Sequence, residues 1–417
     1  TVIQLKKIKL VLDPFKLKIN IKTIGSKLIN QNGTVEIENL KTQISIKSLI
    51  ENKFSIESLE ISTKSLEVRN LISFLRSFRN SPELFLLEKT IKNGYLIGDI
   101  KLEFDSNGNI KSNYEINGFL RDTKLSILKK YNLQKLDLIF NYKKENLLLS
   151  DISFTLNDLK FLSENISLKK DKDDFSVSGE IKHKELVFNE KNLDLFVKPF
   201  FSDIDFEKLR FSSKNRFSFK TNKKFEFRNF TLESDTLIDE LSVVNKFKLK
   251  NFFPNIKENF NLSDHKLSIK YLKNKIYLDG KGNILIQDNK DTLTYSIAKK
   301  NDILDFKTSL KINDNPFNIE SLNYKKENVL IQLEGSKNKK NEIKIKDFFI
   351  NEKENRIRAQ NIKLNKNLEI VKLGTVSLKY TDQENQKNQI KFYPMKNNYV
   401  LKGPSFNANS LVDDLLF

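Results

Sequence analysis

The chain has 417 residues and contains 73 Lys and Arg against 54 Asp and Glu, so its formal net charge is +19. The basic residues are scattered through a composition rich in Lys, Asn and Ile, and this distribution does not indicate a nucleic-acid partner. The absence of cysteine excludes disulfides, cysteine-ligated zinc and cysteine nucleophiles, and no apolar run of about 18 residues is present that would span a bilayer as a helix.

Alternation of apolar and polar residues with a period of two dominates the chain from its N-terminal part onwards. Phe15, Leu17 and Ile19 alternate with Lys16 and Lys18, and successive side chains of a strand point to opposite faces. The pattern therefore predicts strands with one apolar and one polar face. The later apolar pairs and triplets of this kind are Val35/Ile37, Ile44/Ile46, Ile100/Leu102/Phe104, Leu136/Leu138/Phe140, Ile152/Phe154/Leu156, Phe175/Val177, Phe217/Phe219, Phe225/Phe227, Phe247/Leu249, Leu267/Ile269, Ile343/Ile345 and Val376/Leu378/Tyr380.

One segment, at about residues 70–92, interrupts the alternation and predicts two short helices. In NLISFLRSFRN the apolar residues recur at helical spacing. In the sequence that follows, Ser81 suits an N-cap, Pro82 the first helical position and Gly94 the end of the second helix. A further short helix is predicted after Pro254.

Short polar segments that contain glycine separate the alternating runs. Asn107-Gly108 and Asn32-Gly33 predict tight hairpin turns, and so do Gly280 and Gly282 in DGKGN. Successive strands joined by such turns form an antiparallel meander.

The hexamer NYKKEN occurs twice, at residues 141–146 and 323–328. The similarity fades a few residues beyond each copy. We interpret the repeat as a strand-corner-strand structure that is used twice, not as a duplicated domain.

The number of strands limits the possible folds. Roughly 25 strands are predicted, whereas open sheets rarely exceed about 10 strands without curling or splitting. Tandem sandwiches, a closed barrel and a long curled sheet would each cover the apolar faces, but the chain shows neither domain linkers nor the spaced aromatic girdles of a membrane barrel. We therefore predict a mainly β fold in which residues 1–417 form one long antiparallel, strongly twisted sheet, curled into an elongated groove, with a few short helices and a helical insert at about 70–92. The residues predicted to line the groove are Phe15, Leu17, Ile19, Leu138, Phe140, Phe154, Phe217, Phe219, Phe225 and Phe227.

Three stretches resemble the AsmA-like family of the bacterial envelope. Residues 25–71 run as a hairpin followed by polar-alternating strands and contain the phrase IESLEI at residues 56–61. Residues 142–170 have the same character, and residues 401–417 resemble the approach to a further C-terminal module of that family. The resemblance implies a periplasmic region, part of a longer chain, that is anchored in the inner membrane by an upstream segment. It also implies a repeating β-groove that carries phospholipids towards the outer membrane.

An apolar groove in water indicates a ligand, and acyl chains fit an irregular apolar lining. The expected function is therefore bridge-like transport of phospholipids between the inner and outer bacterial membranes, with acyl chains as the ligand and other envelope proteins as further partners. The alternative is an envelope assembly factor that assists outer-membrane protein biogenesis by binding strands at its sheet edges.

The usual catalytic and metal-binding motifs are not found in the sequence. His183 begins an H-x-E fragment, but zinc deaminases also need cysteines, so a strand-edge histidine is the simpler interpretation. His265 follows Asp264 at an apparent turn and is interpreted as part of an exposed polar pair. Asp171, with the acidic residues 173 and 174, lacks the rest of a calcium loop. We expect no enzyme activity, no cofactor and no metal site.

Overall fold

A computed structural model of the protein describes residues 2–31, 33–77, 82–127, 131–171, 174–198, 204–222, 226–247, 249–396, 398–410 and 412. Within these residues the chain is mainly β-structure, with four short α-helices and one short 3-10 helix. The strands pair in an antiparallel manner in one long sheet, and a separate two-stranded ribbon accompanies it. The predicted class, a long antiparallel sheet with a few short helices, is confirmed.

The regular elements of the first half of the chain follow one another closely. They are β1 Val2–Gln4, β2 Lys7–Asp13, β3 Lys18–Ile24, β4 Lys27–Asn30, β5 Gly33–Ser45, α1 Ile46–Ile50, β6 Ile56–Thr63, β7 Leu66–Glu67, α2 Val68–Arg76, α3 Pro82–Thr90, β8 Ile91–Glu103, β9 Glu115–Ile127, β10 Tyr131–Lys143, β11 Asn146–Leu156, β12 Leu159–Asp171, β13 Asp174–Phe188 and α4 Glu190–Phe196.

The second half consists almost entirely of strands. They are β14 Phe206–Asn222, β15 Phe227–Val244, β16 Asn259–Leu272, β17 Lys275–Leu285, β18 Lys290–Lys300, β19 Ile303–Lys311, β20 Phe317–Ile319, the 3-10 helix Glu320–Leu322, β21 Tyr324–Lys326, β22 Leu330–Lys337, β23 Ile343–Glu352, β24 Asn355–Leu364, β25 Ile370–Lys372, β26 Thr375–Thr381, β27 Lys387–Met395 and β28 Asn398–Ser405.

The chain divides into two compact units. Unit 1 comprises residues 1–183 and 216–229, and unit 2 comprises residues 184–215 and 230–417. In unit 1 the strands pair in the order β2, β3, β5, β6, β8, β9, β10, β11, β12 and β13. In unit 2 the order is β15, β16, β17, β18, β19, β22, β23, β24, β26, β27 and β28. Nearly all these neighbours are consecutive in the chain, as expected for a meander.

The two helices predicted at about 70–92 are present as α2 and α3. Val68, Ile72 and Phe74 of α2 are buried, so the apolar stripe of this helix faces the sheet of unit 1. The predicted N-cap Ser81 lies outside the described residues. Gly94 does not end the second helix, because α3 ends at Thr90 and Gly94 lies inside β8 with a φ of +140°. The glycine is needed there, since a Cβ at this position would lie 2.3 Å from the side-chain oxygen of Thr123.

The other helix predictions were less accurate. The helix expected after Pro254 is wrong: the segment around it forms turns, which place Phe253 in a buried cluster. Two short helices were missed, although each begins at a good N-cap. Ser45 Oγ accepts a hydrogen bond from Ser48 N (3.2 Å) before α1, and Asn189 Oδ1 accepts one from Asn192 N (2.9 Å) before α4.

The glycine-containing turns were predicted correctly in two cases and wrongly in one. Gly108 lies in a turn with a φ of +85°, and Gly33 pairs with Asn30 across the hairpin between β4 and β5. Gly280 and Gly282, by contrast, lie inside strand β17. Only glycine fits at these positions, because a Cβ at Gly280 would lie 2.2 Å from Cζ of Tyr295, and a Cβ at Gly282 would lie 2.4 Å from Cα and 2.6 Å from the ring Nδ1 of His265.

The two NYKKEN copies both join strands, but they do so differently. In the first copy, Lys144 and Glu145 form a two-residue hairpin turn with φ values of 49° and 62°, between β10 and β11. In the second copy Tyr324 begins β21, which pairs antiparallel with the preceding strand β20. The same hexamer therefore forms a hairpin turn in one place and a strand of the two-stranded ribbon in the other. The interpretation as one strand-corner-strand structure used twice is wrong.

Candidate functional site

The cross-strand register of unit 1 brings apolar side chains from consecutive strands onto one face of the sheet. Directly paired residues of antiparallel strands have side chains on the same face. Leu12 pairs with Ile19 and Ile19 with Ile44, and the same relation continues strand by strand across the unit. We call this surface the unit 1 face. It contains Ile8, Leu10, Leu12, Ile19, Ile21, Leu40, Ile44, Leu59, Ile61, Leu96, Ile100, Leu102, Ile116, Leu120, Leu138, Phe140, Tyr142, Leu147, Leu149, Ile166, Leu168 and Val177.

Most side chains of the unit 1 face are only half-buried, because they shield one another along the pleat. Leu138 is buried and Phe140 is half-buried, and the ring of Phe140 lies over Gly118 of the neighbouring strand. The face is thus apolar and partly open to solvent over many strands. Isolated exposed apolar residues are normal in proteins, but a continuous surface of this kind indicates a binding partner.

Phe154 extends the unit 1 face. The backbone of Asp151 has a φ of +49°, which interrupts the alternation in β11, and Ser153 pairs with Asp137 on the polar side. The ring of Phe154 therefore points to the apolar side. It stacks on Phe161, with ring centroids 5.3 Å apart.

The opposite face of unit 1 carries charged pairs. Lys41 Nζ lies 3.3 Å from Glu60 Oε2, and Lys18 Nζ lies 2.7 Å from Glu57 Oε2. Both pairs are partly or largely exposed, so they add little stability. This side of the sheet is mixed in character, because exposed apolar residues such as Phe119 and Ile139, which are direct cross-strand partners, also lie on it.

Two of the predicted lining residues do not lie on a strand. Phe15 and Leu17 belong to the turn between β2 and β3, where the exposed fraction of the Phe15 side chain is 98% and that of Leu17 is 51%. The turn is fixed by Pro14 and by Asp13, whose Oδ1 accepts a hydrogen bond from Lys16 N at 3.1 Å. The alternating pattern ran through this turn without a break in the sequence, so the prediction for both residues was wrong.

The remaining predicted lining residues form a separate group in unit 1. Phe217 and Phe219 lie in β14, with ring centroids 6.1 Å apart, and Phe227 packs against Phe219 at 5.2 Å. Phe227 is 69% exposed, so it does not lie within a covered lining. The prediction for Phe225 falls outside the described residues.

Unit 2 has an apolar face that is built in the same way. We call it the unit 2 face. It contains Leu267, Ile269, Tyr271, Ile276, Leu278, Leu293, Tyr295, Ile297, Leu304, Phe306, Leu310, Ile331, Leu333, Phe348, Ile350, Ile357, Ala359, Val376, Leu378, Ile390 and Phe392.

Part of the unit 2 face is covered. Phe253 and Phe317 come from segments between the long strands, and they pack in one buried cluster with Ile350, Ile357 and Leu378 of the face. Phe253 and Phe317 meet edge to face with ring centroids 5.6 Å apart. We call these two segments, residues 249–257 and 312–329, the unit 2 cover. Sequence reasoning missed the cover, because it depends on contacts between distant segments.

A buried polar network attaches the cover to the strands of unit 2. Asp291 Oδ1 accepts hydrogen bonds from Asn313 N and from Asn315 Nδ2, both at 2.9 Å. Gln287 Nε2 donates to the carbonyl of Pro316 at 2.9 Å. Burial raises the pKa of the Asp291 carboxyl, because desolvation disfavours its charged form. These residues hold the cover in place, and their contacts are those of a structural network.

Both histidines are buried on the apolar faces, so both predicted environments were wrong. His183 packs edge-on against Phe161 at 5.8 Å, and burial lowers its pKa to about 4. His265 is fully buried, stacks on Tyr295, and has its Nε2 3.2 Å from the Tyr295 hydroxyl. Burial lowers the pKa of His265 as well. Asp264, beside it, is exposed at a kink within β16, where its φ is +48°. The sequence interpretation took this kink for a turn.

The described part of the chain contains no group of three or more His, Asp or Glu side chains that would hold a metal ion. Asp171, from the acidic stretch considered above, accepts a hydrogen bond from Lys220 Nζ at 2.8 Å. Residue 173 lies outside the described residues. None of the described helices is long and apolar enough to cross a membrane.

None of the family models, curated proteins or solved structures compared with the chain matches it. The resemblance to the AsmA-like family therefore stays a prediction.

Proposed function

We propose that the protein binds phospholipid acyl chains along its apolar sheet faces and acts in the bacterial envelope as a bridge for phospholipids between the inner and outer membranes. The single observation that carries this proposal is the continuity of the unit 1 face. Its register places aliphatic and aromatic side chains next to one another from β2 to β13. Burial of this surface is favourable at roughly 25 cal/mol per Å² of apolar area, whichever apolar ligand covers it.

Acyl chains fit this surface better than a rigid ligand. The face is formed by branched aliphatic residues with aromatic rings at intervals, such as Phe140 and Phe154, so its surface is irregular in shape. A flexible chain adapts to such an irregular surface, while its polar head group stays in water. Neither proton transfer nor a metal ion is needed for a lipid to slide along such a surface. The proposal therefore includes no enzyme activity.

Extraction and mass spectrometry of the purified protein test the proposal directly. We expect phospholipid to co-purify with the wild-type chain. The double variant Phe154→Asp with Phe140→Lys places charges on the unit 1 face and should lose most of the bound lipid, because an acyl chain gains nothing from a solvated charge. The matched control, Ser153→Asp with Asn141→Lys, places the same charges on the polar side. Equal lipid loss in both variants would contradict the proposal.

Transport is tested in cells that lack redundant proteins of the same activity. An outer-membrane permeability assay should show a defect with the Phe154/Phe140 charge variant. Replacement of one face residue, such as Phe154→Ala, should be nearly silent, because the surface needs continuity more than any single side chain. His183 and His265 variants that remain folded should also transport. If the histidine variants fail and the charge variant is tolerated, a catalytic site is the better explanation.

The alternative function, binding of unfolded strands during outer-membrane protein biogenesis, is favoured by one specific observation. In the described structure β2 pairs with β3 on one side, and its other edge offers unpaired backbone groups. Leu10 and Val11 of β2 are 64% and 47% exposed. Such an edge is a template for strand addition. Polypeptide instead of phospholipid in the co-purified material would favour this alternative.

A further inference from the structure

We propose that one corner of unit 1 docks onto the surface of an anionic phospholipid bilayer by inserting apolar loop side chains. We call this corner the apolar tip. It consists of Phe15 and Leu17 in the β2–β3 turn, together with Leu49 and Ile50 at the end of α1. Their exposed fractions are 98%, 51%, 55% and 77%. The proposal does not depend on acyl chains occupying the unit 1 face.

The two parts of the apolar tip are held together by the backbone. Ile46 N, at the start of α1, donates a hydrogen bond to the carbonyl of Leu17 at 2.8 Å. Lys18, at the start of β3, pairs with Ser45 at the end of β5. The exposed side chains of the turn and of the helix therefore lie at the same end of neighbouring strands.

The peptide groups at the end of α1, and one of the β2–β3 turn, are hydrogen-bonded within the tip, which favours insertion. A backbone N–H that enters a bilayer without a partner costs several kcal/mol. In α1 and the residues after it, Glu51 N donates to Lys47 O at 3.0 Å and Lys53 N donates to Ser48 O at 2.9 Å. In the turn, Lys16 N donates to Asp13 Oδ1 at 3.1 Å. Insertion would thus bury apolar side chains without opening these hydrogen bonds.

The charge around the apolar tip fits an anionic surface. Lys16 in the turn and Lys47 in α1 are exposed basic residues of the tip, and Asp13 is the acidic residue of the turn. Within α1 and the loop after it, Glu51 is paired with Lys53 at 2.9 Å, so its negative charge is compensated. Lysines near an anionic bilayer add to the attraction that apolar insertion provides. Strand addition by another protein would use the free edge of β2. The aromatic and aliphatic side chains of the apolar tip project instead from a turn and from the end of a helix.

Tryptophan fluorescence tests this proposal, because the chain contains no tryptophan. The variant Phe15→Trp carries one fluorophore at the apolar tip, and its side chain is so exposed that folding should be unaffected. The matched control Phe247→Trp replaces a phenylalanine that is 63% exposed in unit 2. With vesicles that contain phosphatidylglycerol, we expect a blue shift for Phe15→Trp and quenching by lipids with brominated acyl chains. The Phe247→Trp emission should not change.

Vesicle flotation gives the quantitative measurement. The double variant Phe15→Ser with Ile50→Ser should bind phosphatidylglycerol vesicles at least about tenfold more weakly than the wild type, since each buried phenylalanine or isoleucine contributes more than one tenfold step. The variant Phe247→Ser should bind as the wild type does. Circular dichroism confirms that all variants fold.

Three results would overturn the proposal. The first is no binding of the wild-type chain to anionic vesicles, and the second is binding without any change in the Phe15→Trp emission. The third is a blue shift that grows with protein concentration in the absence of vesicles, which would indicate contact between copies of the chain. Phospholipid bound to the purified protein is measured separately, so failure of the apolar tip and failure of the unit 1 face are distinguishable.

Discussion

Two glycines that pair with each other across β8 and β9 should respond differently to substitution by alanine. Gly98 and Gly118 are direct cross-strand partners on the unit 1 face. A Cβ at Gly118 would lie 2.3 Å from the carbonyl oxygen of Ile97 and 2.7 Å from Cζ of Phe140. A Cβ at Gly98 would meet its nearest atoms, in Leu96 and Asn117, at 3.4 and 3.5 Å.

These distances decide the expected energies. At Gly118 the new methyl group is roughly 1 Å too close to a backbone oxygen, and a backbone atom moves only with its whole strand. Overpacking of this kind typically costs about 1–3 kcal/mol, so Gly118→Ala should lower the free energy of unfolding by about that amount. At Gly98 the contacts are those of ordinary packing. Gly98→Ala should be neutral or stabilising by up to about 1 kcal/mol, because it reduces the freedom of the unfolded chain.

Urea unfolding followed by circular dichroism measures both changes. The midpoint for Gly118→Ala should fall while the slope stays constant, and the midpoint for Gly98→Ala should stay or rise. The variant Phe140→Leu in the Gly118→Ala background should recover part of the loss, because it removes one of the two obstacles. Equal midpoints for the two alanine variants would refute the assignment of Gly118 and Phe140 to one crowded site on the unit 1 face.

Three further predictions concern other sites. The pKa of His183 is about 4 in the folded protein and higher in the unfolded chain, so the folded state binds fewer protons and stability should fall as the pH drops from about 6.5 towards 4. Because the ring is partly hydrated, we expect the free energy of unfolding to fall by about 1–2 kcal/mol over this pH range. The variant His183→Gln should lack this pH dependence when urea unfolding is measured at several pH values. Cysteine introduced at Phe154 should react faster with a lipid-soluble probe than cysteine at Ser153, and equal rates would contradict their placement on opposite faces. Phe317→Ala, in the unit 2 cover, should lower the unfolding free energy by about 3–5 kcal/mol, whereas Phe252→Ala, at a 41% exposed neighbour, should cost much less.

The sequence predicted the strands well, because each strand satisfies a local rule. Alternation with a period of two recurs wherever one side of a sheet is apolar, and Ile19, Leu138 and Phe154 lie where this rule places them. The rule fails where alternation continues through a turn. Phe15 and Leu17 follow the pattern, but Asp13 and Pro14 reverse the chain before them. The wrong placement matters, because it moves Phe15 from a predicted lining to the most exposed position of the apolar tip.

Glycines and histidines were misplaced for a different reason. DGKGN has the composition of a turn, yet both of its glycines lie in a strand, where they make room for the rings of Tyr295 and His265. This requirement comes from strands that are distant in sequence, so no local pattern contains it. The same holds for Asp264, whose left-handed backbone kinks the strand without ending it.

The unit 2 cover restricts where a lipid could lie in the proposed function. The covered residues Ile350, Ile357 and Leu378 are already in contact with protein side chains, so an acyl chain would gain nothing there unless the cover moved. Displacement of the cover would break the hydrogen bonds that Asp291 accepts from Asn313 and Asn315, and it would expose Phe317 to water. Each of these costs is of the order of 1–3 kcal/mol. Within unit 2 the part of the face that remains half-buried, towards Leu278, Ile297 and Phe306, is therefore the surface on which lipid should be sought first.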